Sequence, residues 1–230
     1  MALILAVDCN SLPDWYVKEQ LDQIGEYWAD LIITAIKDGK KPEILIDRSG
    51  SMSMEAGHGS GITRMDLALA VIESLAQKLP ENSEDFKVDS KLYDSIPVKS
   101  WGSGVYEEHF VSPKTKGWAE EQPPLRRKKT TLKDFRQNAI IPSQLPKIPC
   151  TDGTDHSLWF NESEFPLVIT DDYGYQLNNE LLENYRNFDW CEGNNILAID
   201  SHGQELRLER MNKTLRNAAM GYDAINQRDF

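Results

Sequence analysis

Three oxygen-bearing side chains stand at alternate positions in the segment Asp47-Arg48-Ser49-Gly50-Ser51. A carboxylate and two hydroxyls spaced in this way can all point to one side of a tight loop, and Gly50 is expected to let that loop turn sharply. Three hard oxygen donors on one side suit a hard divalent cation. The segment therefore predicts a metal site built from Asp47, Ser49 and Ser51.

The elements on either side of this segment must position it. Residues 43–46 form a short apolar run that predicts an inner strand of a sheet covered on both faces. A loop rich in Gly and Ser follows, and residues 63–79 then show helical periodicity, with Thr63 and Asp66 spaced as a capping pair. In open parallel sheets ligands bind at the carboxyl ends of strands, so the segment lies at a favourable place for a site.

The motif D-x-S-x-S, preceded by the strand sequence ILID and followed by Met52, resembles the metal-ion-dependent adhesion site of the von Willebrand factor A family. The family completes its site with a threonine from a second loop and an aspartate after a later strand. By this resemblance Thr154, in Asp152-Gly153-Thr154-Asp155, is the third hydroxyl, and Asp171, after the run 167–170, is the remote carboxylate.

The resemblance also implies the chemistry of the site. In the family the Ser and Thr hydroxyls contact the metal directly, whereas the carboxylates act largely through water. The implied cofactor is Mg²⁺ or Mn²⁺, and one coordination position stays open for an Asp or Glu of a partner. This is adhesion chemistry rather than hydrolysis, and the chain is accordingly expected not to be an enzyme.

Two departures from the family pattern affect the second half of the site. Asp172 replaces the glycine that follows the family's aspartate, and the interval between Thr154 and Asp171 is short. In a rival register Thr151 and Asp152 complete the site instead. The first register is preferred because prolines precede Thr151, whereas strongly β-forming residues precede Asp171.

The rest of the chain alternates between strand and helix patterns. In chain order these are a strand ended by Asp8, a helix at 14–37 stopped by Gly39, one or two strands within 86–101, a short helix near 131–138, a strand at 165–170, a helix at 178–187, a strand at 195–200 and a charged helix at 204–220. The pattern predicts an α/β fold with a doubly wound, mostly parallel central sheet flanked by helices.

The domain organisation follows from the same pattern. Residues 1–41 are expected to be an N-terminal strand and helix that pack on the core, and residues 42–230 a von Willebrand factor A-like domain. Within that domain, residues 102–149 are rich in Pro and Gly and carry the basic run 126–129, so they are predicted to be an insertion.

The composition excludes several classes of function. The 230 residues carry a net charge of −12, which argues against a nucleic-acid partner. We expect no membrane partner, because no stretch has about 18 uninterrupted apolar residues. The three cysteines, at positions 9, 150 and 191, are widely spaced and are expected to be structural thiols in a reducing compartment. A cytoplasmic protein is therefore expected.

Three hypotheses about function remain open. The first is an intracellular binding module that uses the metal to engage an acidic group on a partner protein, as an adaptor in a larger assembly; intracellular members of the family often work with AAA+ ATPases of the MoxR type. The second is a structural or assembly protein with a vestigial metal site. The third is a metal-dependent phosphoesterase that uses the acidic strand ends.

Overall fold

The computed structural model describes residues 14–56, 62–79, 90–111, 126–136, 146–151, 153, 164–171, 196–199 and 206–209. The helices are α1 (Asp14–Lys37), α2 (Arg64–Lys78), α3 (Ser90–Asp94) and α4 (Leu132–Arg136), with a 3-10 turn at Gly50–Ser53. The strands are β1 (Pro42–Asp47), β2 (Pro97–Trp101), β3 (Val105–Tyr106), β4 (Glu108–Val111), β5 (Arg126–Thr131), β6 (Phe165–Thr170), β7 (Ile196–Ile199) and β8 (Leu206–Glu209).

The strands form one mixed, open sheet in the order β4-β5-β2-β1-β6-β7-β8, with β3 pairing beside β2. Its centre is parallel, because β1 pairs in parallel with both β2 and β6, and β6 with β7. Antiparallel strands extend the sheet at each side, so the described sheet is mixed and the prediction of a mostly parallel sheet holds only for its centre. The predicted α/β class, with a central sheet flanked by helices, is confirmed at this level.

The central strand β1 is buried along its whole length. Ile44 and Ile46 belong to the main hydrophobic cluster, which also contains apolar side chains of α1 and α2. Leu45 points to the opposite face, because side chains alternate along a strand, and it is only 1% exposed. The prediction of an inner strand covered on both faces is therefore confirmed.

Helix α1 has the predicted bounds and the predicted stop. Gly39 adopts φ 75°, and its N–H donates to the Ile36 carbonyl while the Lys40 N–H donates to the Ala35 carbonyl. This pair of bonds is a Schellman motif, which requires a left-handed residue that glycine supplies without strain. Apolar residues of α1 belong to the main hydrophobic cluster, so this helix packs on the core. None of the described helices is long and apolar enough to cross a membrane.

Helix α2 begins at the predicted capping pair. The Thr63 hydroxyl accepts from the Asp66 N–H at 3.1 Å, and the Asp66 carboxylate accepts from the Thr63 N–H at 2.8 Å. The two bonds satisfy donors that the first turn of a helix leaves unpaired. The first residue of α2 is thereby fixed beside the carboxyl end of the sheet, where the Arg64 N–H donates to the Met54 carbonyl.

Two parts of the fold differ from the sequence predictions. Residues 90–94 form the short helix α3, so the strand predicted within 86–101 is confined to β2 among the described residues. The helix predicted at 204–220 is wrong at its start, because Leu206–Glu209 pairs antiparallel with β7. Leucines alternate with charged residues there, a period of two that suits a strand.

The segment predicted as an insertion contributes strands to the same sheet. The basic run forms most of β5, which pairs with β4 along residues 126–129 and with β2 at residues 130–131. The basic side chains are compatible with a strand because they are exposed and have partners. Lys129 bonds Glu107 at 2.5 Å, and the Arg127 guanidinium lies over the Phe110 ring. The short helix predicted near residues 131–138 is present as α4.

Several predicted elements lie outside the described residues. They are the strand ended by Asp8, the helix at 178–187, and the part of the C-terminal helix beyond residue 209.

Candidate functional site

The metal-site motif lies where the strand order of the sheet reverses. From β1 the chain passes to β2 on one side, whereas β6, which follows later in sequence, pairs on the other side of β1. Ile46 and Ile169 are paired, so the carboxyl ends of β1 and β6 are adjacent. In α/β sheets this switch point leaves a crevice in which ligands bind. Asp47 ends one of these strands, and Asp171 follows the other.

Asp47 is fully buried and is held from both oxygens. Its Oδ1 accepts from the Ser49 N–H at 2.7 Å, which closes the turn after β1, and its Oδ2 accepts from the Thr170 hydroxyl at 2.7 Å. Burial raises the pKa of the Asp47 carboxyl, and the two donors partly offset that effect. Asp47 therefore anchors the loop to β6 and places a carboxylate directly behind the serines.

The turn after Asp47 directs both predicted serines to one side. Met52 is fully buried and anchors the 3-10 turn, and its N–H donates to the Ser49 carbonyl at 3.1 Å. Ser49 precedes the turn but makes no side-chain capping bond, so its hydroxyl does not serve the turn. Gly50 does not have a positive φ, so the expectation that its flexibility shapes the loop is wrong. The buried methionine and the Asp47 bond shape it instead.

Three oxygens from two distant parts of the chain converge at this place. The Ser49 and Ser51 Oγ atoms are 2.8 Å apart, and the Ser51 hydroxyl donates to Asp171 Oδ1 at 2.9 Å. The Ser49 Oγ lies 3.5 Å from the same Oδ1. Because Ser51 gives its proton to Asp171, Ser49 donates to Ser51, and the three groups form a hydrogen-bonded chain.

These separations also fit a magnesium ion. Two adjacent ligands in octahedral geometry, each about 2.1 Å from Mg²⁺, lie about 3.0 Å apart. Two of the three oxygen pairs have this separation, and the third is wider by about half an ångström. Hydroxyl and carboxylate oxygens are the donor types that Mg²⁺ prefers. The donor set is therefore compatible in type and spacing with one face of a magnesium octahedron.

A buried arginine completes this cluster. Arg64 Nη1 lies 2.6 Å from Asp171 Oδ2, and the side chains of the two residues are 5% and 0% exposed. One oxygen of Asp171 is thus bound to a guanidinium and the other to the serine hydroxyls. A buried carboxylate needs a partner of this kind, because an uncompensated charge in the interior is costly.

The remaining predicted ligand cannot be placed beside these residues. Thr154 lies outside the described residues, as does Asp152 of the rival register. Thr151 is exposed, and it bonds Arg48 rather than the serines: its N–H donates to the Arg48 carbonyl at 3.1 Å, and its Oγ1 accepts from Arg48 Nη2 at 3.3 Å. The strand predicted to precede Asp171 is present as β6, whereas residues 146–150 form no strand before Thr151.

A second buried polar group lies on the neighbouring strands. His109 is 1% exposed; its Nδ1 bonds the Thr130 hydroxyl and its Nε2 bonds the Ser100 hydroxyl at 2.9 Å. The Thr130 hydroxyl donates to the Val98 carbonyl, so it must accept from Nδ1–H, and in the neutral ring Nε2 accepts from the Ser100 hydroxyl. Burial, with a smaller contribution from the Arg48 charge, lowers the His109 pKa from 6.5 to about 4.

Cys150 lies close enough to the site for the charges of the site to affect the pKa of its thiol. Its side chain is half-buried, and burial followed by the nearby Asp47 carboxylate raises the pKa of the thiol to about 11. The thiol is therefore protonated at neutral pH, when it is a poor nucleophile and metal ligand. A structural role for the thiols stays a prediction. Cys9 and Cys191 lie outside the described residues.

Sequence reasoning missed two members of the cluster, Arg64 and Thr170. Thr170 could have been found from the register, because a parallel pairing of the two strands places it beside Asp47. Arg64 also carried a signal. A basic side chain in the first turn of a helix opposes the helix dipole, which suggests that a nearby carboxylate holds it there.

Comparison with models of protein families, with curated proteins and with solved structures found no match. Within the described part of the chain, no group of three or more His, Cys, Asp or Glu side chains converges. The candidate site draws instead on two serine hydroxyls and two carboxylates, so its assignment depends on the geometry of these residues.

Proposed function

We propose that this chain is an intracellular von Willebrand factor A-like binding module that uses a divalent cation to engage an acidic group on a partner protein. Asp47, Ser49, Ser51, Thr154 and Asp171 would hold Mg²⁺ or Mn²⁺. The doubly wound arrangement of that family and a cytoplasmic location belong to the same proposal. We further propose an adaptor role in a larger assembly, with a MoxR-type AAA+ ATPase as a candidate partner.

One observation carries this proposal. The Ser51 hydroxyl and the Asp171 carboxylate are 120 residues apart in sequence, yet they are 2.9 Å apart at the switch point of the sheet. The resemblance of the D-x-S-x-S motif and of the run before Asp171 to the adhesion site predicts this pairing. In an ordinary strand-to-helix loop, a serine hydroxyl caps the helix that follows it. Here the Ser49 hydroxyl makes no capping bond, and both serine hydroxyls face a remote carboxylate instead.

Each residue of the site would have a distinct role in binding the ion. Ser49 and Ser51 would bind the ion through neutral oxygens, and Asp171 would contribute charge from β6. Asp47 would orient the serines through the Ser49 N–H. A bound ion with few anionic ligands stays electrophilic and attracts an outside carboxylate. The chain's own task is therefore to present an incompletely neutralised cation at the edge of the sheet.

The experiment is a calorimetric titration of Mg²⁺ and Mn²⁺ into metal-free protein, the Ser51→Ala variant and the Asp47→Ala/Ser49→Ala double variant. Ser53→Ala is the matched control, because Ser53 lies in the same turn but its hydroxyl bonds only the Gly50 carbonyl among the contacts seen for it. We expect the site variants to lose affinity by about tenfold or more and Ser53→Ala to bind as the wild type does. Equal binding by all four proteins would overturn the proposal.

A vestigial site is the second candidate, and the Arg64–Asp171 ion pair favours it. The guanidinium already compensates the carboxylate that a metal would use, so the cluster is electrostatically satisfied without an ion. In that case the hydroxyls and Asp171 serve to join β1 to β6 in a structural or assembly protein. Wild-type protein that binds neither ion in the titration would support this second candidate.

A further inference from the structure

Arg64 lies at a position that ordinary helix energetics would not choose. It is the first residue of α2, where the positive end of the helix dipole disfavours a cation. Its side chain is nevertheless buried at 5% exposure and lies in contact with Asp171. The ion pair with Asp171 therefore offsets the unfavourable position of this cation at the start of the helix.

The two oxygens of the Asp171 carboxylate have different partners. Oδ2 binds Arg64 Nη1 at 2.6 Å, while Oδ1 accepts from the Ser51 hydroxyl and is the oxygen on the side of the serines. A divalent ion held by the serines would share this carboxylate with the guanidinium. Two cations on one buried carboxylate repel each other strongly, because the interior screens charge poorly.

We infer that Arg64 is a built-in counter-cation of Asp171 that competes with the divalent ion for this carboxylate and thereby weakens metal binding by the free protein. The inference rests on the proposed function of the site. Arg64 is a positioning residue: it acts on the ion through Asp171. This competition would make metal binding depend on the partner. The acidic group of a partner would compensate the excess positive charge of the ion and Arg64, so metal and partner would each strengthen binding of the other.

The test compares wild type with Arg64→Gln and Arg64→Lys. Glutamine removes the charge and keeps a hydrogen-bond donor, whereas lysine keeps the charge. We expect Arg64→Gln to bind Mn²⁺ about tenfold or more tightly than wild type, and Arg64→Lys to remain close to wild type. A purely structural role for Arg64 predicts the opposite sign, since loss of the ion pair would misplace Asp171 and weaken binding.

Thermal unfolding supplies a readout that is independent of calorimetry. In EDTA, Arg64→Gln should unfold at a lower temperature than wild type, because Asp171 is left buried without its cation. Added Mn²⁺ should then raise the unfolding temperature of Arg64→Gln by more than that of wild type. If Arg64→Gln does not fold in EDTA, refolding in Mn²⁺ should restore its circular dichroism spectrum, and failure to do so would overturn the inference.

The outcomes separate this inference from the proposed function. Binding by wild type with equal or weaker binding by Arg64→Gln would overturn the inference and leave the metal site in place. Binding by Arg64→Gln alone would support the inference and reject a functional site in the native chain. Absence of binding in both proteins would overturn both.

Discussion

Replacement of His109 by glutamine should remove most of the loss in the free energy of unfolding that protonation of this buried histidine causes at acid pH. The imidazole is neutral, buried and bonded at both nitrogens, and its pKa falls from 6.5 in the unfolded chain to about 4 in the folded protein. The gap between the two values corresponds to about 3 kcal/mol. Glutamine can still bond the neighbouring hydroxyls but does not titrate.

The sign of the effect follows from proton linkage. Between the two pKa values the unfolded chain binds a proton at His109 that the folded protein does not, so stability rises with pH in this range. The contribution is fully present above the unfolded value of 6.5 and is lost as pH falls toward about 4. By about pH 5 the wild type should have lost about 2 kcal/mol that His109→Gln retains.

The assay is urea unfolding followed by circular dichroism at several values between about pH 7 and about pH 5, at constant ionic strength. The quantity of interest is the change with pH of the difference between wild type and His109→Gln. Other groups, including Asp47 with its raised pKa, titrate in both proteins and cancel in this difference. Parallel pH profiles for the two proteins would refute the reasoning.

Three further predictions concern the frame of the site. Thr63→Ala should lower the free energy of unfolding by about 1 kcal/mol, because α2 loses its side-chain cap; urea midpoints measure this, and an unchanged midpoint would contradict the role of the cap. Gly25→Ala should destabilise the protein by about 1–3 kcal/mol, because a Cβ there would lie 2.6 Å from Ser74 Oγ and within 3 Å of the backbone of α2; a more stable variant would show that the two helices can separate without loss. Asp47→Asn should weaken metal binding by about tenfold or more, because it removes the negative charge beside the serines. The stability of the metal-free protein should stay within about 1 kcal/mol of wild type, since asparagine keeps an acceptor for the Ser49 N–H, its amide can donate to the Thr170 hydroxyl, and it avoids the cost of burying a charge. Calorimetry tests the first part and unfolding in EDTA the second, and unchanged metal affinity together with a collapse of stability would assign Asp47 to the fold alone.

Local signals were sufficient to predict the elements that carry the first motif. The apolar run before Asp47, the Thr63–Asp66 capping pair and the glycine after α1 each act over a few residues, so the sequence alone determines them. The resemblance to a known adhesion site then paired the serines with Asp171, which no local pattern could do. The structure places these groups within hydrogen-bond distance.

Elements that depend on long-range pairing were predicted less well. The segment Leu206–Glu209 is charged enough to resemble a surface helix, but β7 offers it an antiparallel partner, and pairing prevails over propensity. The basic run of β5 is accommodated because Glu107 and neighbouring side chains compensate it, which depends on tertiary contacts. Burial of Arg64 depends likewise on Asp171, 107 residues away in sequence.

The most direct test of the central claim is a crystal structure of the wild-type chain grown with Mn²⁺, with anomalous diffraction used to locate the ion. We predict an anomalous peak within about 2.2 Å of both the Ser49 and the Ser51 hydroxyl oxygens, beside Asp171 Oδ1. The same map would show whether Thr154 reaches the ion. A well-ordered site with the serines still bonded to each other and no peak between them and Asp171 would contradict the account.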